Sequence, residues 1–556
     1  MNDNETSGPS FASLFKELAP ETVVAKDERS FWSLFADPNL VTATGSPIPR
    51  EALSSAVSFD ERLMFWAMRN LRVEEAVKHL LVIGCAGSGK STLIQLFLQS
   101  IARRFRADWP TPEQLILFDG NCEAVTQLAT LGLNPEDKNV YILNPFDERC
   151  AVWDIAEGAK TPLLARHLAA LIVPEEHGSS APFFWQAARD LVYAVILGLN
   201  RSAGQKWTFR DLICGLDSKA RILKLTALDP RAKVIAVRVF EDQQHAHSVL
   251  STVGTKLVRF EPVAALWHSA TNAPKFSIEK FLKHPGVLVL GNDPVLQDSI
   301  WPVNSLLLKA LTQEILRGPS TRKPRHWFVL DEFPAMQRLD CINDLLRRGR
   351  GKGVATLLGT QGVEALYEIY GDNAADDIMG QCGSKTALRA GGPKTAEWDE
   401  RFFGKVRRTE RTCSESWSRS GGYSHSTQYD TRERSLFLAS TFLDLPFPKS
   451  GGPFISISDV PSLGTTFVTH KWFDQVLSWM RPTSTVPAVL PRLDVEEQRL
   501  KNWSPKEEKE FTGKPGPKTT AKQKKKASPK PKAANAKPYL PGAERRARNP
   551  QLPLGF

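Results

Sequence analysis

The chain has 556 residues, 24% of them charged and 42% hydrophobic, the balance of a soluble globular protein with room for two or more domains. No uninterrupted apolar run reaches the roughly 18 residues a membrane-spanning helix needs, and the start of the chain lacks the basic-then-apolar order of a secretory signal. A cytoplasmic protein is expected. Seven scattered cysteines without a CxxC pair argue against a disulfide framework or a cysteine-rich zinc site. His245 and His247 are too few ligands for zinc. The net charge of +11 is local: residues 512–556 hold twelve Lys/Arg against Glu544 alone, so residues 1–511 sum to zero.

In chain order, residues 1–45 are polar with isolated aromatics and suggest no definite structure. A first part of a nucleotide-binding domain is expected over 46–160. HLLVIG (79–84), QLILFD (114–119) and NVYILN (139–144) predict buried strands, and KSTLIQLFLQSIARRF (90–105) predicts an amphipathic helix. From 161 to 270 the spacing turns helical, which predicts an inserted all-α domain. Over 271–490 the strand pattern resumes at GVLVLGN (286–292), HWFVLDEF (326–333), VATLLGTQ (354–361), KTALRA (385–390), PFISISDV (453–460) and TTFVTH (465–470). The polar stretch 412–434 reads as an exposed loop or hairpin. Residues 491–556 read as a linker and a Lys/Pro/Ala-rich disordered tail, either a solubilising segment or a polyanion tether. The expected fold is α/β, a doubly wound sheet of the P-loop NTPase (RecA-like) type with an all-α insertion and a basic C-terminal tail.

GCAGSGKS (84–91) fits GxxxxGK[ST] in full, between a predicted strand and a predicted helix. In such a loop the backbone amides of Gly84, Cys85, Ala86, Gly87, Ser88, Gly89, Lys90, Ser91 and Thr92 face phosphates, aided by the helix N-terminus. Lys90 reaches the β- and γ-phosphates, and Ser91 offers a hydroxyl to Mg²⁺. The strand HWFVLDEF ends in Asp331, placed for the metal's ligand shell, and Glu332, placed to polarise the attacking water. Gln361 closes VATLLGTQ, where a neutral amide can sense the γ-phosphate. Arg350, in LLRRGRGKG, is either an arginine finger for a neighbouring subunit or part of a basic surface. Asp119 ends another strand, where capping the next loop is the better reading. ATP and Mg²⁺ are the expected ligands. No NKxD motif points to a small GTPase, and no LSGGQ motif to an ABC ATPase.

These motifs, with NPFDERCAVWDI (144–155), PFFWQAARDLVYAVI (182–196), FVLDEFPAM (328–336), LLRRGRGKGVATLLGTQG (345–362) and KTALRAGGPKTAEWDERFFG (385–404), resemble the type IV coupling proteins. These are the TraD/TraG-like ATPases of conjugation, in the FtsK/HerA group. The resemblance runs from about 76 to 411. It implies a hexameric, DNA-stimulated ATPase that moves single-stranded DNA, with bound relaxase, toward a type IV secretion channel. It also implies that Lys90, Ser91, Asp331 and Glu332 form the nucleotide site, that Arg350 acts in trans, that Gln361 is the third motif, and that the insertion meets the DNA–relaxase complex. The family's N-terminal transmembrane helices have no counterpart here. That departure implies either recruitment to the inner membrane by a separate partner or a motor acting outside conjugation. Two alternatives stand beside this reading: a soluble FtsK/HerA-like translocase on double-stranded DNA, and a slowly hydrolysing, nucleotide-gated platform for cargo proteins.

Overall fold

The computed structural model describes residues 62–513, apart from 175–181, 293–296, 418–422, 464, 493 and 495. The expectations for 1–45 and for the basic tail from 514 onward lie outside the described residues. No described helix is long and apolar enough to cross a membrane.

A short hairpin, β1 (Leu63–Trp66) and β2 (Arg69–Arg72), precedes β3 (Leu80–Ile83) and α1 (Lys90–Ile101). Strands β4 (Gln114–Phe118), β5 (Val140–Leu143) and the two-residue β6 (Val152–Trp153) follow. Seven helices come next: α2 (Pro162–Ile172), α3 (Pro182–Ala203), α4 (Phe209–Leu216), α5 (Lys219–Thr226), α6 (Pro230–Phe240), α7 (Gln243–Leu257) and α8 (Glu261–Ser269). Strand β7 (Lys275–Phe276) pairs in parallel with β6, so the helical segment leaves and re-enters at one place. The chain then forms β8 (Gly286–Leu290), α9 (Gln297–Arg317), β9 (Thr321–Leu330), α10 (Ile342–Gly349), β10 (Lys352–Thr360), β11 (Ser384–Ala387) and α11 (Pro393–Phe403). A long antiparallel ribbon, β12 (Lys405–Trp417) with β13 (Tyr423–Ser435), occupies the polar stretch read as a loop or hairpin. Strands β14 (Pro453–Val460) and β15 (Thr465–Trp472), then α12 (Pro505–Thr512), complete the order.

The nine-stranded sheet runs β15-β14-β11-β3-β10-β9-β4-β8-β5. From β11 to β5 every pairing is parallel, and β14 and β15 add an antiparallel edge. Its central strands are apolar throughout because both faces are covered. The pleat sends alternate residues to opposite faces: Leu81, Ile83, Ile116 and Phe118 enter one core, and Leu80, Val82, Leu115 and Leu117 the other. The first core is continuous with the interior of the helical segment, through residues such as Leu191, Val195, Leu199 and Leu212. The second takes up Phe65 and Trp66 of the β1–β2 hairpin, which the sequence reading did not isolate.

Residues 491–513, expected to begin a linker, have structure of their own. The strap that starts near 484 follows the 146–150 loop, where Glu148 N donates to Leu490 O at 2.9 Å and Arg492 N to Phe146 O at 2.8 Å. It then lies against the helical segment: Arg492 Nη1 donates to Leu266 O (3.0 Å), and Arg210 Nε to Lys501 O (2.7 Å). Trp503, 6% exposed, stacks on Phe511 at 4.9 Å and donates its indole N–H to Asp211 at 2.9 Å. Ser504 and Glu507 form a capping box that starts α12. Ordinary residue types hid this strap, since its partners lie about 230–350 positions earlier.

Candidate functional site

The phosphate loop joins β3 to α1 at the C-terminal edge of the parallel sheet, where ligands of doubly wound folds collect. Its base is held by internal bonds: Gly84 N donates to Thr360 O (3.1 Å), Cys85 N to Arg389 O (2.9 Å) and Ser88 N to Cys85 O (3.1 Å), so these three amides, expected to face phosphates, are taken up within the protein. Gly89 has a φ of +95°, in the left-handed region, and a Cβ there would lie 2.2 Å from the Phe454 ring. Both facts require glycine. Ser88 is buried, and its Oγ has no hydrogen-bond partner among the described residues. An orphaned buried hydroxyl in this loop fits a site that receives phosphate oxygens. Ala86, Gly87 and Ser91 are exposed, while Cys85 and Thr92 are half-buried.

Lys90, at the first position of α1, is buried beside the two acids that follow β9. Its Nζ donates to Glu332 Oε2 at 2.8 Å and lies 3.4 Å from Asp331 Oδ1. Gln361, one residue past β10, donates from Nε2 to the same Glu332 Oε2 at 3.0 Å. Glu332 has φ +54° and ψ +50°, a left-handed conformation uncommon for a non-glycine residue. Asp331 supports it, its Oδ1 accepting from Glu332 N at 2.9 Å. Gly359 on β10 makes room, because a Cβ there would lie 2.8 Å from Asp331 Oδ1. Lys90, Asp331, Glu332 and Gln361, drawn from three strand ends, therefore converge. The donor set, a Ser91 hydroxyl and an Asp331 carboxylate, suits an oxygen-seeking Mg²⁺.

Asp119 does cap the next loop, its Oδ1 accepting from Glu123 N at 2.8 Å. Burial raises its carboxyl to about 6, with Glu123 and Asp331 adding like charge. The sequence reading missed a clamp behind Gln361. Thr395 Oγ1 accepts from Val363 N (3.0 Å) and donates to Glu364 Oε2 (2.6 Å), pinning the turn that carries Gln361 to α11. Only the tertiary fold brings residues 31 and 32 positions apart into that contact.

Arg350 does not join the cluster. It precedes β10 and Gln361 follows it, so the nine residues of the strand put them roughly 30 Å apart. Its surroundings are at the other edge of the sheet. Burial holds the His79 imidazole down at about 4, and the Arg350 charge adds to that. Arg347 pairs with Asp377 (2.6 Å) and Arg348 with Asp344 (3.6 Å). No carboxylate pairs with Arg350 among the described residues.

Residues 67–463 match the family described as the type IV secretion-system coupling protein DNA-binding domain. The chain is 25% identical over 334 residues to the coupling protein TraD of Escherichia coli (strain K12). That match covers 58% of this chain and 43% of TraD, so the chain spans less than half the length of this relative. Among solved structures, the bacterial conjugative coupling protein TrwB in its unbound monoclinic form superposes with a TM-score of 0.58 at 18% identity, covering 81% of this chain and 99% of that one. TrwB in complex with ADP and Mg²⁺ gives 0.58 at 18% identity over 80% and 98%. Likeness at that identity establishes the fold. The family match, spanning most of the chain and both halves of the site, establishes the lineage: the protein belongs to the type IV secretion-system coupling protein family.

Proposed function

We propose that this chain is a DNA-stimulated ATPase, a coupling motor that delivers single-stranded DNA, with its bound relaxase, to a type IV secretion channel. The observation that carries this reading is the convergence of Lys90, Asp331, Glu332 and Gln361 at the mouth of a complete phosphate loop, in a chain of the coupling-protein family. TrwB, whose fold the chain shares, has been solved with ADP and Mg²⁺ and with a non-hydrolysable ATP analogue. That supports ATP as substrate here.

In this reading the loop amides and Lys90 bind the β- and γ-phosphates. Ser91 and Asp331 hold Mg²⁺, which supplies charge neutralisation on the phosphate oxygens. Glu332 accepts a hydrogen bond from the attacking water and aligns it in line with the bond to be broken. Gln361, which already touches Glu332, orients that water and registers whether a γ-phosphate is present. Arg350 is too far from its own site to assist. Its lack of a pairing carboxylate among the described residues supports a role at the nucleotide of a neighbouring subunit, and a homo-hexameric ring is the arrangement the family suggests. A separate membrane partner would place such a ring at the inner membrane.

The test is ATP turnover by the purified chain, alone and with single- or double-stranded DNA. Several-fold stimulation by single strands, exceeding that by duplex, is expected. Preference for duplex would favour a double-strand translocase. No stimulation by either would favour a cargo-docking platform and overturn the motor.

A further inference from the structure

The phosphate loop and the acids beside it account for the phosphates of a nucleotide, and the sheet order indicates where the rest of it goes. Strand β3, which feeds the phosphate loop, lies between β10 and β11. Asp331, Glu332 and Gln361 follow β9 and β10, on one side of the loop. A nucleotide whose terminal phosphate faces them extends along the loop toward the other side, under β11 and β14.

On that side the segment leading into β14 brings Phe447 to the loop. Its Cδ1 and Cε1 lie 3.8 and 3.9 Å from the position a Cβ on Gly87 would take, which is van der Waals contact. The ring is 48% exposed. A single exposed aromatic is unremarkable by itself, but this one is braced. The Arg389 guanidinium lies over it, 4.7 Å from the ring centroid, and donates from Nη1 to Leu445 O at 2.6 Å. Arg389 also holds the phosphate loop, through its carbonyl and Cys85 N. One residue thus fixes both the ring and the loop, and sets the distance between them.

We propose that Phe447 is the nucleobase platform of this site, with a purine stacked on its ring and Arg389 bracing it. The proposal rests on the nucleotide reading and deepens it. A stack uses the π-face that every base possesses and reads none of the base-edge donors and acceptors. The site is therefore expected to bind adenine and guanine nucleotides alike.

The test is calorimetric titration of the full chain, with Mg²⁺, using three probes: a non-hydrolysable ATP analogue, its GTP counterpart and inorganic tripolyphosphate. Phe447→Ala should weaken both nucleotides about tenfold, within the range for loss of one base–aromatic stack, and leave tripolyphosphate affinity unchanged. Phe447→Trp should restore wild-type affinity. Unchanged nucleotide affinity in Phe447→Ala would overturn the proposal, and so would equal weakening of all three probes, which would make the ring a support for the loop. A fall in self-association without a change in affinity would make it an intersubunit contact instead. A wild-type chain that binds no probe sinks the nucleotide reading itself, a result distinct from any of these.

Discussion

Lys90 Nζ and Glu332 Oε2 lie 2.8 Å apart across 242 positions of sequence, and the same carboxylate oxygen receives the Gln361 amide at 3.0 Å. The buried loop lysine, the second acid after β9 and the glutamine after β10 are thereby one hydrogen-bonded unit. Replacing either end should have different consequences. Glu332→Gln keeps an acceptor for Lys90, so nucleotide affinity is expected to persist while turnover falls by about 10²–10⁴, the usual worth of a general base. Lys90→Ala removes the buried cation and should lose both affinity and turnover. Titration of the two variants with a non-hydrolysable ATP analogue decides the matter. Equal loss of affinity in both would refute the division of labour.

Arg350 lies at the opposite edge of the sheet from its own Lys90. If it serves the adjacent subunit, Arg350→Ala and Glu332→Gln should each be inactive alone, yet mixing them should recover part of the ATPase activity. Some mixed interfaces would then carry both intact groups. Absence of recovery in rings shown to contain both variants would count against the trans role.

The strap that ends in α12 is expected to matter for stability, and the tail beyond it for binding. Trp503→Ala removes a buried indole stacked on Phe511 and takes the indole donor from Asp211 Oδ1. It should cost about 3 kcal/mol, read as a lower denaturation midpoint. Truncation after Gly513 should leave that midpoint unchanged, because it spares Trp503 and Phe511, while removing the twelve basic residues and Glu544. If the tail tethers single-stranded DNA, binding should weaken and its log–log salt slope fall by about 0.7 per lost phosphate contact. An unchanged slope would make the tail a solubilising segment.

His326 should contribute to acid sensitivity. Burial, with a smaller push from Arg325, lowers its imidazole to about 4, and Nδ1 is bonded to Gln114 Oε1 at 2.8 Å. Folding favours the neutral ring, so the unfolded chain binds more protons between pH 4 and the ordinary 6.5. Its contribution is complete above pH 6.5 and is lost as pH falls through that window. Between pH 7 and 4.5, His326→Gln should therefore lose roughly 2 to 3 kcal/mol less stability than wild type. Parallel stability–pH curves for the two proteins would refute this.

Local order in the chain determined much of this protein. The loop from Gly84 to Ser91 and the acids at Asp331 and Glu332 were legible because each is a strand-end motif whose chemistry depends on neighbours in sequence. The parallel strands were legible because burial on both faces makes them continuous apolar runs. The tertiary structure alone decided which strand ends meet. Nothing local links Gln361 to Glu332, Thr395 to the turn after Gln361, or Phe447 to Gly87. Nor does anything local show that Arg350, eleven positions before Gln361, lies far from its own site. Strand direction settles that, since a strand carries its two ends to opposite edges of a sheet. The strap was invisible for a related reason: Trp503 and Arg210 lie 293 positions apart, and only the tertiary fold brings the strap's carbonyls to the arginine's fork.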